Sequence, residues 1–278
     1  MSTLDIRVMT DTDLAAALDM AAAEGWNPGL NDAACLPVAD PTGFLIGCLD
    51  GKPVASISVV RYGADKGFLG FYITKPEIRG QGHGLAIWNA GMKYLQGRNV
   101  GLDGVPDQQD NYRKSGYTLA FRNIRYAGTG GGGAPDGLMP LNDVPFEQVL
   151  AYDAAMFTAA RPEFLKTWIA QPGAAALAAL DDGRLAGFAV ARPCREGFKV
   201  GPLFADDEAT AERLFAGVTA PAAGQPVFLD VPETNAAAVR LAERHDMAPS
   251  FETARMYTGP AWPIPLDRLF GITTFELG

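Results

Sequence analysis

Arg79-Gly80-Gln81-Gly82-His83-Gly84 combines residue types and spacing that suit one kind of chemistry, the holding of a phosphate-bearing ligand. Glycines at 80, 82 and 84 have no Cβ, so a ligand can approach the main chain closely. A helix starting near Gly82 would aim its unpaired amides at that ligand. Successive amides together with the helix dipole form a pyrophosphate cradle. Arg79 adds a permanent positive charge whose planar fork matches phosphate. The spacing departs from two familiar phosphate loops. No Lys-Ser/Thr pair follows the last glycine, and Leu85 stands where a dinucleotide fingerprint has its third glycine. Taken alone, the loop leaves several phosphate ligands open, as well as a merely structural turn.

Elements on both sides must position this loop. A strand over 67–73 leads into it. After it, Leu85, Trp88, Met92 and Leu95 recur at helical spacing with Asn89, Lys93 and Gln96 opposite, and Gly97 can end that helix. Upstream, the pattern predicts a strand over 4–9 and a helix over 11–24. Asp11 or Thr12 would cap that helix and Gly25 would stop it. A turn at 26–29 follows, then a hairpin of strands 43–49 and 52–60 joined by Asp50-Gly51. Downstream come a strand over 100–105, a short helix over 108–116 and a strand from Tyr117. The glycine-rich run 128–137 cannot hold a regular element and reads as a flexible linker, in preference to a phosphate loop.

Beyond that run the order repeats. Helices are expected over 146–157 and 163–169, and a hairpin over 175–191. Then follow a strand over 199–204, a helix over 208–216, a strand over 227–231, a helix over 235–244 and a strand through 255–257. The pattern suggests a tandem duplication of one α+β unit. A length of 278 residues suits two domains, with 48% hydrophobic and 20% charged residues. We expect units at 1–127 and 138–278 with the linker at 128–137.

Bulk properties exclude several functions. The net charge of −9 leaves no basic footprint for nucleic acid, and an acidic surface would instead steer cationic small molecules. Cys35, Cys48 and Cys194 are too sparse for a disulfide framework, and with only His83 and His245 no metal site is expected. The first residues lack a signal-peptide pattern, and no apolar run reaches membrane-spanning length. A cytoplasmic, membrane-free protein is expected, and an oligomer is compatible with the sequence.

Pro76 to Gly84, between a strand and an amphipathic helix, resembles the acetyl-CoA motif of the GNAT superfamily of N-acetyltransferases. The motif's Arg/Gln, Gly and Gly/Ala fall on Arg79, Gly82 and Gly84. A second segment, Tyr112-Arg113-Lys114-Ser115-Gly116-Tyr117, resembles the family's Tyr-x-Lys-x-Gly-Phe/Tyr. Val105 stands where the family often has an Asn seven residues before that Tyr, so that coenzyme contact is not carried over; Asn111 lies nearby at another spacing. The layout resembles tandem-GNAT proteins whose C-terminal domain is of the GNAT-18 kind, with 251–259 as its characteristic strand. In the second half, Asp206, Asp207 and Glu208 occupy the turn equivalent to the loop and would repel a pyrophosphate. Asn235 and Ala238 match a family pattern, but Ala242 replaces its Tyr. This half is expected to bind no coenzyme.

The resemblance implies an α+β (α/β sandwich) fold with two tandem units, each a mixed, mostly antiparallel sheet flanked by helices. It implies acetyl-CoA as cosubstrate and direct attack of a small-molecule primary amine on the thioester. Coenzyme contacts would come from Arg79, Gly80, Gln81, Gly82, His83 and Gly84, with Asn111 added. His83 occupies a variable position, and its side chain is expected to face solvent. Backbone amides around Tyr72, Ile73 and Thr74 would stabilise the thioester oxygen. Tyr112 matches the general-acid position; its alternative is packing beneath the pantetheine arm. Asp103 is the best candidate for the base, against the alternative of a turn cap before Gly104. Glu24, Trp26, Asn27 and Asp32 surround the turn beside the acceptor pocket and are candidates for substrate contact. Tyr152, Asp153 and Arg161 read as a surface helix with caps and ion pairs. A non-catalytic acyl-CoA sensor is the competing function.

Overall fold

The computed structural model describes residues 4–133 and 135–278. Ala134, inside the expected linker, and the first three residues, read above for a signal peptide, lie outside the described residues. The first half runs β1 (Asp5–Val8), α1 (Asp11–Ala23), α2 (Asp32–Cys35), β2 (Phe44–Leu49), β3 (Lys52–Tyr62), β4 (Lys66–Thr74), α3 (His83–Tyr94), β5 (Asn99–Gly104), α4 (Gln109–Lys114) and β6 (Thr118–Thr129). The second half runs β7 (Leu138–Pro140), α5 (Phe146–Phe157), α6 (Pro162–Ile169), β8 (Ala175–Asp181), β9 (Arg184–Pro193), β10 (Phe198–Ala205), α7 (Glu208–Thr219), β11 (Pro226–Pro232), α8 (Ala236–Arg244), β12 (Ala248–Tyr257) and β13 (Leu269–Gly271). The fold is an α+β sandwich of two similar units. None of the described helices is long and apolar enough to cross a membrane.

Both units share one sheet, ordered β1-β2-β3-β4-β5-β12-β6-β11-β10-β9-β8-β7, with β13 paired to β10. Pairing is antiparallel except for β4–β5 and β10–β11, one parallel pair in each unit. The halves are interlocked. Strand β12 of the second half inserts between β5 and β6, and β6 pairs on its other side with β11. The register sets Asp103 of β5 directly against Arg255 of β12. Arg255 donates from Nε to Oδ1 at 2.8 Å and from its second nitrogen to Oδ2 at 2.6 Å, while Asn123 of β6 donates to the same Oδ1 at 2.8 Å. Three adjacent strands from both halves are therefore joined by one buried polar cluster.

Side chains alternate across the sheet, as a strand's period of two requires. In β3, Ile57 and Val59 face α3, while Val60 and Tyr62 join the opposite core. In β9, Phe188 and Val190 enter that same core, and Ala189 and Ala191 pack on the α7 side. The shared core mixes Leu14, Phe44 and Phe68 with Phe157, Trp168 and Trp262, so one apolar cluster spans the two halves.

Several expectations need revision. The cap of α1 is Thr10, not Asp11 or Thr12: its hydroxyl accepts from the Asp13 amide and the Asp13 carboxylate accepts from the Thr10 amide, a reciprocal capping box. The expected linker begins inside β6, because Gly128 and Thr129 pair with Val227 and Pro226 of β11. Glycine offers no packing but keeps its amide and carbonyl, and a neighbouring strand is present to take them. Asp153 and Arg161 are not on the surface. They form a bidentate pair at 2.8 Å, both buried, and Arg161 also donates to Thr273. Residues 258–278, which carry no periodic signal, fold back across the sheet; among them only β13 and a short 3-10 turn at Leu266–Arg268 are regular.

Breaking one side of a buried ion pair leaves an uncompensated charge, a loss of about 3–5 kcal/mol. Arg255→Met should lower the urea midpoint accordingly. The double variant Arg255→Met/Asp103→Leu should recover much of the loss, which an equilibrium denaturation cycle measures.

Candidate active site

The parallel pairing of β4 with β5 runs only from Lys66↔Asn99 to Leu69↔Leu102. Beyond it the strands part. Strand β4 bends there through a bulge against β3, with Phe71 at φ 46°, an uncommon conformation for a bulky residue. The Ser56 hydroxyl donates to the Phe71 carbonyl at 2.8 Å and helps hold that bend. A cleft of about 740 Å³ opens between the parted strands. Tyr72, Ile73 and Thr74 form one wall, Arg79, Gly80, Gly82, Gly84 and Leu85 the rim, and Leu102, Asp103 and Tyr112 the other side.

The loop has the geometry that its composition suggests. A 3-10 turn, Pro76–Ile78, delivers Arg79, and Gly80 and Gly82 follow at φ 77° and 85°. Gly82 caps α3 in a left-handed conformation with no side chain bonded to the helix amides. Those amides stay available to an anion. Gly84 is needed for another reason: a Cβ there would lie 2.9 Å from the Thr74 hydroxyl and 3.1 Å from the Tyr72 hydroxyl. These features fit a pyrophosphate. Leu85, one of the apolar residues at helical spacing, is exposed on the cleft rim; Ile87 and Trp88 carry the buried face of α3.

Other candidates divide into those at the cleft and those committed elsewhere. The Arg79 guanidinium is half-exposed and is held by the Thr74 carbonyl, at 2.8 Å from Nε, and by the Glu24 carboxylate. Glu24 therefore sits at the coenzyme rim, partnering Arg79. Tyr112 is buried against Trp88, with rings stacked 5.8 Å apart, and lines the cleft. Burial, with Tyr72 beside it, pushes its hydroxyl well above the ordinary tyrosine range, so it keeps its proton. Asp103 also lines the cleft. Burial raises its carboxyl against the pull of Arg255, but both of its oxygens are occupied by Arg255 and Asn123.

His83 and Gln81 belong to the loop but are not part of the cleft lining; Gln81 reaches back to the Glu77 carbonyl. Asn111 is exposed, with its amide bonded to Gln108. Trp26 lines the cleft, but its neighbours do not. Asn27 exchanges two hydrogen bonds with the Glu196 main chain and ties the turn to the second half. Asp32 is fully buried, paired with Arg192 at 3.0 Å, and accepts from the Gly29 amide at 2.7 Å. Burial would raise its carboxyl, but Arg192 outweighs that and holds it below the usual range. The turn is polar because it is bolted to the second half, a partnership that local sequence cannot display.

The structure brings in residues that the motifs do not flag. Phe251 and Thr253 of β12 and Phe275 and Glu276 of the segment after β13 also line the cleft. Phe251 and Phe275 sit with ring centroids 6.1 Å apart, and Arg125, paired with Asp230 at 2.7 Å, lies 4.9 Å over Phe275. The only sequence signal was the characteristic strand at 251–259; Phe275 and Glu276 carried none. In the second unit, the turn before α7 is differently built. Asp207 caps that helix by accepting from the Thr210 amide at 2.7 Å, and Asp206 is bonded by Tyr152 and Arg268.

Residues 13–117 match the acetyltransferase (GNAT) family, and residues 149–271 match a second acetyltransferase (GNAT) domain. A holothin acyltransferase from Pseudoalteromonas sp. (strain SANK 73390) is 30% identical over 263 residues, which cover 94% of this chain and 90% of that protein. The chain belongs to the GNAT acetyltransferases. It is an acyltransferase with two GNAT-like domains. A putative acetyltransferase from Pyrococcus horikoshii superposes with a TM-score of 0.85 over 99% of this chain and 96% of that one, at 21% identity. A tandem GNAT protein from the clavulanic acid biosynthesis pathway gives 0.63 over 94% and 100%, at 14% identity. These two show the shared fold.

Glu24 competes with a ligand phosphate for Arg79, through an exposed pair worth about 0.2–1 kcal/mol. Glu24→Gln should therefore tighten acetyl-CoA binding by about 2–5-fold, and Arg79→Glu should weaken it far more. Isothermal titration calorimetry reads both; equal affinities in all three proteins would remove Arg79 from the site.

Proposed function

We propose that this GNAT enzyme transfers the acetyl group of acetyl-CoA to the primary amine of a small molecule by direct attack. One observation carries the reading: the cleft joins an uncapped helix terminus and glycine loop on one side to an aromatic, apolar pocket on the other. The first half suits a pyrophosphate. The second, with Trp26, Phe251 and Phe275, suits the body of a compact apolar amine. The relative named above is, by its name, an acyltransferase acting on holothin, which supports the acyl-transfer reading.

In this reaction the amine nitrogen attacks the thioester carbonyl carbon. A C–N bond forms, the C–S bond breaks, and the thiolate leaves. Backbone amides around Tyr72–Thr74, beside the bend at Phe71, receive the developing oxyanion in this reading. Tyr112 donates its hydroxyl proton to the thiolate and is reprotonated from solvent. Its raised pKa keeps the proton on the hydroxyl, so it faces the sulfur as a hydrogen-bond donor and not as a base. Arg79 and the amides of α3 hold the pyrophosphate. The second unit takes no coenzyme: Asp207 already bonds the first turn of α7 and sets a carboxylate where a phosphate would have to sit.

Two measurements test this. Acetyl-CoA should bind with a stoichiometry of one per chain, and two sites would overturn the assignment of the second unit. Tyr112→Phe should lower kcat by about 10²-fold with little change in acetyl-CoA affinity; an unchanged kcat across the pH range would remove the acid role.

A further inference from the structure

A primary amine that becomes an amide must lose a proton, and Asp103 is poorly placed to accept it with both oxygens engaged. We infer that Glu276, contributed by the segment after β13 of the second half, is the base that takes the proton from the acceptor amine. The inference rests on the amine-transfer reading above.

Position comes first. The Glu276 main chain lies against Gly70, so closely that a Cβ on Gly70 would fall 2.3 Å from the Glu276 carbonyl oxygen. Gly70 is the first residue beyond the Leu69↔Leu102 pair, where β4 and β5 separate. Glu276 therefore stands at the mouth of the parting that makes the cleft, and it lines that cleft. The segment is pinned: Ser58 donates to the Glu276 carbonyl at 3.3 Å, Tyr62 donates to the Leu277 carbonyl at 3.0 Å, and the Gly278 amide donates to the Thr274 carbonyl at 3.0 Å.

The carboxylate is available. Glu276 is only 4% exposed, yet its Oε2 is buried with no hydrogen-bond partner. A buried carboxylate oxygen without a donor is costly unless something arrives to meet it. An ammonium or amine nitrogen in the cleft would supply that donor, beside the aromatic walls formed by Phe251 and Phe275.

Neighbouring charges explain how such a group is tolerated. Two buried pairs, Asp32–Arg192 and Asp230–Arg125, satisfy themselves. Among the described residues, Lys199, whose ammonium donates to the Trp26 carbonyl at 3.3 Å, is then a cation near Glu276 with no carboxylate in an ion pair. The charged groups facing Glu276 are thus Lys199 of β10, Arg192 of β9, Asp32 of α2 and Arg125 of β6. Burial pushes Glu276 above the usual carboxylate range, and burial followed by Arg125 and Arg192 pushes Lys199 down. A carboxylate raised in this way is, once ionised, a stronger base than a free one.

The step balances. The nitrogen lone pair forms the C–N bond, the C–S electrons leave on sulfur, the surplus proton on nitrogen passes to Glu276 Oε2, and Tyr112 protonates the thiolate. Glu276 then releases its proton to solvent as product leaves.

The test compares thiol release from acetyl-CoA, with benzylamine and related arylalkyl primary amines, by wild type, Glu276→Gln and Glu276→Gln/Lys199→Gln. The double variant keeps the buried charges balanced and guards against loss of folding in the single one. Both variants should bind acetyl-CoA as wild type does and lose about 10²–10³-fold in kcat. The defect should shrink as pH approaches the amine's own pKa, where free amine is supplied by solvent. Turnover by Glu276→Gln equal to wild type, or activity restored in the double variant, overturns the inference and leaves the amine-transfer reading standing. Failure of wild type to acetylate any amine overturns that reading, and the inference with it.

Discussion

Arg255 spans from β12 to Asp103 on β5 with two short hydrogen bonds, and neither side chain meets solvent. Two charges removed from water in this way bring a large desolvation cost, so the pair is weak evidence of stability for its own sake. Its effect is on register. Only one alignment of β12 sets the guanidinium fork on the carboxylate, and a slip of one residue would turn both side chains to opposite faces. Fixing β12 fixes Phe251 and Thr253 at the cleft, and places β6 and β11 beyond it. The acceptor wall of the first unit is thus set by a strand of the second.

That dependence gives the second unit a physical role in the first unit's cleft. Its parallel pair, β10–β11, repeats the arrangement of β4–β5, but the segment after β12 closes over it: β13 pairs with β10, and a Cβ on Gly201 would lie 2.5 Å from the Thr273 carbonyl. A strand parting of the kind that opens the first cleft is filled there by the chain itself. The helix that would receive a pyrophosphate has Asp207 as its cap, so its terminus is already satisfied and carries negative charge beside it. The same folding-back that fills this parting carries Phe275 and Glu276 to the first unit's cleft.

Much of the coenzyme half was legible because its requirements are local. Positive φ at Gly80 and Gly82, close approach at Gly84 and a helix start all lie within six residues, and local sequence encodes each directly. The hairpin at Asp50-Gly51 and the repeated order of elements were readable for the same reason. The acceptor half was not. Asn27 and Asp32 are polar residues in a turn, and nothing near them in sequence says that Glu196 and Arg192 are their partners. Asp103 looked free because Arg255 lies more than one hundred residues away and reaches it only through the exchange of strands. Glu276 sits in a segment with no periodicity, so neither helix nor strand reasoning could give it a neighbour.

Sequence distance also explains why the acceptor side is fastened so heavily. Closing a loop between Gly70 and Glu276 costs conformational entropy that grows only slowly with length, but ordering each residue of an irregular segment costs about 1–2 kcal/mol. Apolar burial of Phe270, Ile272 and Leu277, each nearly inaccessible, offsets that cost, and hydrogen bonds from Ser58 and Tyr62 fix the direction of the main chain. Irregular backbone is suited to this position. A strand would satisfy its own groups and present side chains alternately, whereas this segment can set an aromatic face and a carboxylate on adjacent residues toward one cavity. The glycine-loop side of the cleft therefore rests on regular elements whose form is common to many phosphate sites, and the opposite side rests in part on an irregular segment whose partners lie far away in sequence.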